Sequence, residues 1–175
     1  DYKVTGVQTC ALPISGDGVF VLGEADRLPF SDAGVDGLLA ECSLSTMTDR
    51  RRVLAEWFRV LRPGGRLALS DVYRRADVID GPAAVDLSPF SGWRRIAADL
   101  CEAGFRIEWF EDRSDVMAAW VARFVFTHGS LEALWGGSCG LNAEAVAAAR
   151  PGYYVALADK PETAPSASHR SEFSS

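Results

Sequence analysis

The stretch from residue 48 to residue 72 constrains the fold most. Thr48 or Asp49 can cap a helix whose apolar residues Val53, Leu54, Trp57, Phe58 and Leu61 recur at helical spacing. Pro63-Gly64-Gly65 stops that helix, and residues 66–72 continue at once as an apolar run of strand type. A helix that turns straight into a buried strand is the repeating unit of a layered α/β fold. The rest of the chain keeps the alternation. Residues 18–23 and 35–40 read as buried strands, with a Leu28-Pro29-Phe30 loop between them. Ser91 is expected to cap a second helix with stripe Trp93, Ile96, Ala97, Leu100 and Cys101, ended by Gly104, before a strand over 105–110. Asp115 opens a third helix with stripe Met117, Trp120, Val121, Phe124 and Val125, closing near Gly129. Asn142 caps a short Ala-rich helix, and residues 152–158 form a last strand. Residues 74–90 read as irregular. The sum is an α/β fold with a mostly parallel sheet and helices on both faces.

Composition narrows the function. A formal net charge of −6 argues against non-specific nucleic-acid binding, which needs clustered basic residues against phosphates. The one basic run, Arg50-Arg51-Arg52, lies at a helix start among acids and reads as a solvated face. No apolar run has the length of a membrane span. Cys10, Cys42, Cys101 and Cys139 show no paired metal spacing, so no metal site is expected. Unpaired cysteines without a signal peptide fit a reducing cytoplasm. Cys42 and Cys101 read as small buried hydrophobes. His128 continues the apolar stripe of its helix and reads as a core or rim histidine rather than a base.

Residues 1–14 stand apart. Val4-Thr5-Gly6-Val7-Gln8-Thr9-Cys10-Ala11-Leu12-Pro13-Ile14 resembles the in-frame translation of a sequencing-library adapter, and it lacks the basic start and apolar core of a signal peptide. The expectation is a non-native segment over 1–14, a partial domain over 15–160, and a Pro/Ser/Thr/Glu-rich disordered tail over 161–175.

Three pieces of the chain carry a family resemblance. They are Gly23-Glu24-Ala25 followed by Leu28-Pro29-Phe30, then Asp36 before an apolar run, then Arg59-Val60-Leu61-Arg62-Pro63-Gly64-Gly65 leading to Ser70-Asp71. In that order and spacing they resemble the middle of a class I S-adenosylmethionine (AdoMet) dependent methyltransferase, in the type 11 group that includes ubiquinone/menaquinone and arsenite methyltransferases. The resemblance covers residues 18–73 well and 91–158 loosely. It implies a Rossmann-like sheet whose final strand inserts antiparallel beside the sixth, and AdoMet as cofactor at the carboxyl ends of the strands.

By the same resemblance, Glu24 accepts from the adenine amino group and the Ala25 N–H donates to a ring nitrogen. Leu28 and Phe30 wall that end of the pocket or the core beneath it. The crest Glu41-Cys42-Ser43 faces the methionine part of the cofactor and the acceptor. Cys42 matches the position of an arsenic-binding cysteine in arsenite methyltransferases, with Cys139 a conceivable second thiol. Asp71, ending its strand, approaches the acceptor or caps the strand.

Two other pieces of the family's cofactor site are not matched: the glycine-rich turn after the first strand and the acid ending the second. Ser15-Gly16-Asp17-Gly18 precedes a strand rather than following one, so it is not that turn. The resemblance therefore implies an amino-terminally truncated domain lacking its first two strands. It also implies transfer of a methyl group to a small-molecule acceptor, with the fragment itself inactive. The competing classes are a non-catalytic Rossmann-like scaffold and an NAD(P)-dependent oxidoreductase. The second of these requires Gly-x-Gly-x-x-Gly after the first strand.

Overall fold

A computed structural model describes residues 21–75, 91–129 and 150–162. Strand β1 (Val35–Glu41) is followed by a short 3-10 turn (Leu44–Thr46), helix α1 (Arg50–Val60) and the long strand β2 (Leu61–Arg74). Helix α2 (Trp93–Glu102), strand β3 (Arg106–Asp112), helix α3 (Ser114–His128) and strand β4 (Pro151–Asp159) complete the described elements. The strands form one mixed sheet in the order β1-β2-β4-β3. β1 and β2 run parallel, and β4 lies antiparallel to both of its neighbours. The last strand thus inserts beside β3, as the family resemblance implied.

The core lies on one face of this sheet. Val53, Leu54 and Trp57 of α1 and Ile96 and Leu100 of α2 meet Leu67, Leu69 and Tyr73 of β2 and Tyr154, Ala156 and Ala158 of β4. Strand period and helix period converge there: alternate residues of β2 and β4 point inward, as does one stripe of each helix. Phe58 and Phe105 meet edge to face at 5.2 Å between ring centroids. Among the described residues no helix is long and apolar enough to cross a membrane.

The helix-to-strand reversal differs from its expected form. α1 ends at Val60, capped by Leu61, and Pro63-Gly64-Gly65 lies inside β2. The pairing of β1 with β2 jumps there, from Val35↔Leu61 to Gly37↔Arg66, so the three residues form a bulge. A bulge tolerates proline, which cannot donate to a ladder. Gly65 is required by close approach, because a Cβ would lie 2.7 Å from Leu61 and 2.9 Å from the carbonyl of Asp36. Lys160, just beyond β4, donates from Nζ to the carbonyls of Phe58 and Leu61 at 2.8 Å each and so satisfies the end of α1.

Several other expectations are corrected. The strand read over 18–23 is not formed in its described part, residues 21–23, where Leu22 is almost wholly exposed. β1 is not fully buried, since it has a described neighbour on one side only and Leu39 is 69% exposed. Gly92, not Ser91, precedes α2, and no side chain caps it; the Ser91 hydroxyl accepts instead from Arg50 at 2.9 Å. α3 forms as expected and ends at Gly129 in the left-handed conformation. Its predicted stripe is only partly buried, with Trp120 53% exposed. Cys101 is exposed, not buried, and His128 is exposed, so of its core and rim readings the core one does not hold. The Asn142 helix, Cys139, the 1–14 segment and the tail from 163 lie outside the described residues, as do residues 76–90.

Candidate cofactor cleft

Asp49 begins the construction of the site. Its side chain accepts from the Arg52 N–H at 3.0 Å and starts α1 in the right register. From that helix Glu56 and Arg59 reach the loop that follows residue 23. Glu56 Oε1 accepts from the Leu28 N–H at 2.7 Å. Arg59 donates to the Phe30 carbonyl at 2.9 Å and to both Glu56 oxygens at 2.7 Å. The Arg59 hydrogen bond holds the Glu56 carboxyl below its ordinary value, against a smaller opposing push from burial.

The loop and β1 enclose an open cleft of about 510 Å³. Gly23, Ala25 and Leu28 line one side, Leu38 to Glu41 another, and Ser43, Met47 and Trp57 the rest. That volume lies in the range of small-molecule sites, and a mixed apolar lining with a few polar groups is their usual make-up. The cleft brings together Ala25, Leu28, Glu41 and Ser43 of the predicted residues. Glu24, between two lining residues, is exposed at the start of a tight turn closed by the Arg27 N–H on the Glu24 carbonyl at 2.9 Å. Phe30 does not line the cleft and is 41% exposed.

The crest at the end of β1 is strained and firmly held. Cys42 has a φ of 46°, a conformation that L side chains rarely adopt. Its N–H donates to the Ser70 carbonyl at 2.7 Å. Immediately beyond, both the N–H and the hydroxyl of Ser45 donate to Asp71 at 2.7 Å. Asp71 also accepts from the Val72 N–H at 2.7 Å and is only 2% exposed. Asp71 is therefore buried inside a strand and not at its end. β2 runs on to Arg74, and the carboxylate is spent on fastening the 3-10 turn to the sheet.

Cys42 is exposed, not the small buried hydrophobe expected, and its Sγ lies 3.9 Å from the Tyr153 hydroxyl. Local desolvation pushes the thiol pKa up; the Tyr153 hydrogen bond opposes this, while Asp71 and Glu41 add to it. The thiol form is thus favoured over thiolate. Among the described residues no group of His, Cys, Asp and Glu is arranged to hold a metal ion. The basic run at 50–52 is fully engaged. Arg50 and Arg51 meet the buried Asp99 at 3.0 and 3.4 Å, and Arg52 meets Asp26 at 3.1 Å. Sequence reasoning missed Glu56, Arg59 and Tyr153. An acid and a base three apart beside an apolar stripe was the available signal for the first two; nothing local marked Tyr153, which reaches Cys42 from far along the chain.

Comparison with known proteins shows what the chain is similar to. Residues 1–69 match a family model described as a methyltransferase domain. An arsenite methyltransferase of Halobacterium salinarum is 41% identical over 61 residues, 35% of this chain and 16% of that protein. An O-methyltransferase of Aspergillus sclerotiorum is 36% identical over 107 residues, 58% of this chain and 40% of that protein. Over that segment the chain is similar to methyltransferases. Among solved structures, that of the 4+2 cyclase SpnF superposes with a TM-score of 0.62 at 27% identity, over 82% of this chain and 57% of that one. The class I fold thus extends to β3 and β4, beyond the matched segment. The chain spans less than half the length of these two curated relatives.

Proposed function

We propose that this chain supplies the adenine-side half of an AdoMet site in an enzyme that methylates a small-molecule acceptor. One observation carries the reading: the cleft joins the Gly23–Leu28 loop to Glu41 and Ser43 at the carboxyl end of a parallel strand. Open α/β sheets place their ligands at such ends. Glu24 would accept from the adenine amino group, the Ala25 N–H would donate to a ring nitrogen, and Leu28 would wall the base. Glu41 and Ser43 would face the methionine end, and Cys42 the acceptor side. When bound, AdoMet supplies an electrophilic methyl group on a sulfonium, so the protein's part is to orient the two reactants and exclude water. The unpaired thiols of Cys42 and Cys101 support a cytoplasmic setting.

The chain's sequence offers one of the family's three cofactor anchors. The loss of two or three contacts at about 1–3 kcal/mol each lowers affinity by roughly two to six decades. Binding to this chain is accordingly weak. Titration of the isotope-labelled chain with S-adenosylhomocysteine is expected to shift amide signals of residues 23–28 and 39–43, with a dissociation constant far above micromolar. Shifts confined to other regions would overturn the site. A micromolar constant by calorimetry would overturn the weak-binding part.

The likeness to a cyclase favours a second reading, in which the domain binds a small molecule without transferring a methyl group. Labelled methyl transfer by the chain joined to a complementing amino-terminal half separates the two.

A further inference from the structure

We propose that Glu56 and Arg59 are positioning residues that fix the loop of residues 24–33 in the one shape able to read a nucleobase. This rests on the reading of that loop as the adenine end of the site. The contacts run to loop backbone, not merely to side chains. Glu56 takes the Leu28 N–H at 2.7 Å. Arg59 gives one guanidinium nitrogen to the Phe30 carbonyl at 2.9 Å and, longer, to the Leu28 carbonyl at 3.4 Å. Another guanidinium nitrogen meets Asp32, and the Arg59 carbonyl accepts from the Ala33 N–H at 2.9 Å. Ala33 itself has a φ of 53°, a strained conformation that this last bond helps to hold.

Burial does not do this work. Pro29, Phe30 and residues 31–34 are exposed, so the polar clamp is what gives the loop its path. Only Leu28 and Ala25 pack partly against the core. With Leu28 pinned by its amide, the turn from Glu24 to Arg27 is closed at both ends. The Glu24 acceptor and the Ala25 donor are then presented at a fixed spacing. Purine readout needs that spacing, and a small displacement forfeits the geometry. Arginine suits the role because its planar fork reaches a carboxylate and carbonyls together, whereas lysine offers a single point of charge.

Adenosine and inosine distinguish the roles. Inosine carries a carbonyl where adenosine has an amino group, so an acceptor at Glu24 repels it. Amide-shift titrations of the full chain should show adenosine bound at residues 23–28 at least about tenfold more tightly than inosine, the worth of one well-made hydrogen bond. Arg59→Ala, Arg59→Lys and Glu56→Gln should bring that ratio close to one. Arg62→Ala, which removes an exposed ion pair with Asp36 at 2.7 Å, should leave the ratio intact. A merely structural role would weaken both nucleosides together and leave their ratio unchanged. If the wild-type chain discriminates and the soluble, folded variants discriminate equally, the positioning role is overturned and the functional reading stands. If Arg59→Ala does not fold, Arg59→Lys and Glu56→Gln decide the matter in the same way. If the wild-type chain binds neither nucleoside or makes no distinction, the reading of the loop itself fails, and this inference with it.

Discussion

At the scale of single residues, Asp71 shows how far a carboxylate's type is from its role. Sequence position suggested an acid at a strand end facing an acceptor. The side chain instead points to the core face beside Tyr154 and accepts three hydrogen bonds from Ser45 and Val72. Its removal leaves partly buried donors without partners, each costing up to about 1–3 kcal/mol. Asp71→Ala is therefore expected to lower unfolding free energy by about 2–4 kcal/mol, read from urea midpoints. It should also release the strained conformation at Cys42, seen as faster amide exchange over residues 42–46. A loss below about 0.5 kcal/mol, within the range of ordinary surface substitutions, would show that the bonds to Ser45 hold nothing. Which way a strand residue faces depends on register, and register is set by neighbours that no local pattern names. The family resemblance could propose Glu24, Ala25, Leu28, Glu41 and Ser43 for one region, but it could not say which way Asp71 faces.

The elements repeat the lesson. α1, β2 and β4 were legible because their apolar periodicities are clean and Asp49 marks the start of α1, whereas Pro-Gly-Gly, read as a stop, lies inside β2. α3 was legible as a helix but not as to what it covers, because apolar spacing fixes a face without naming its partner. Ser91 lost its capping role to a long-range claim by Arg50, invisible at short range. The pairing of α1 with the 24–33 loop carries its own prediction. The Glu56 carboxyl is held below its ordinary value of 4.5, chiefly by Arg59. A group depressed on folding stabilises fully above its unfolded pKa and loses that contribution as pH falls through the folded one. Protection of the Leu28 amide should accordingly be constant near neutrality and collapse in acid below the normal carboxylate range, before protection of Leu100 is lost. In Glu56→Gln it should already be low at pH 7. A Leu28 protection factor that tracks Leu100 throughout would remove the clamp as the cause.

On the scale of the whole molecule, the sheet has a covered core face and an open end. β1 exposes Leu39 and, among the described residues, has no strand on its outer side. Unpaired backbone groups on such an edge are a template for pairing with another chain. The wild-type sedimentation coefficient is expected to rise with concentration. Leu39→Lys, which places a charge on the edge without touching the core cluster, should flatten that dependence while leaving the unfolding midpoint nearly unchanged. Equal self-association by both chains would place the sticky surface elsewhere, with the exposed aromatic residues Trp120 and Phe126 of α3 the next to alter.

The place of β4 also sets a timetable for synthesis. β3 is made before β4 yet hydrogen-bonds only to it among the described strands, and the outer side of β2 waits for the same segment. Among the described strands, the edges of β2 and β3 that β4 joins therefore stay open on a nascent chain until residues 151–159 emerge, and translation halted before that point leaves β3 without its described partner. In this fold the closing stroke comes last, and Lys160 latches it to the helix that was finished first.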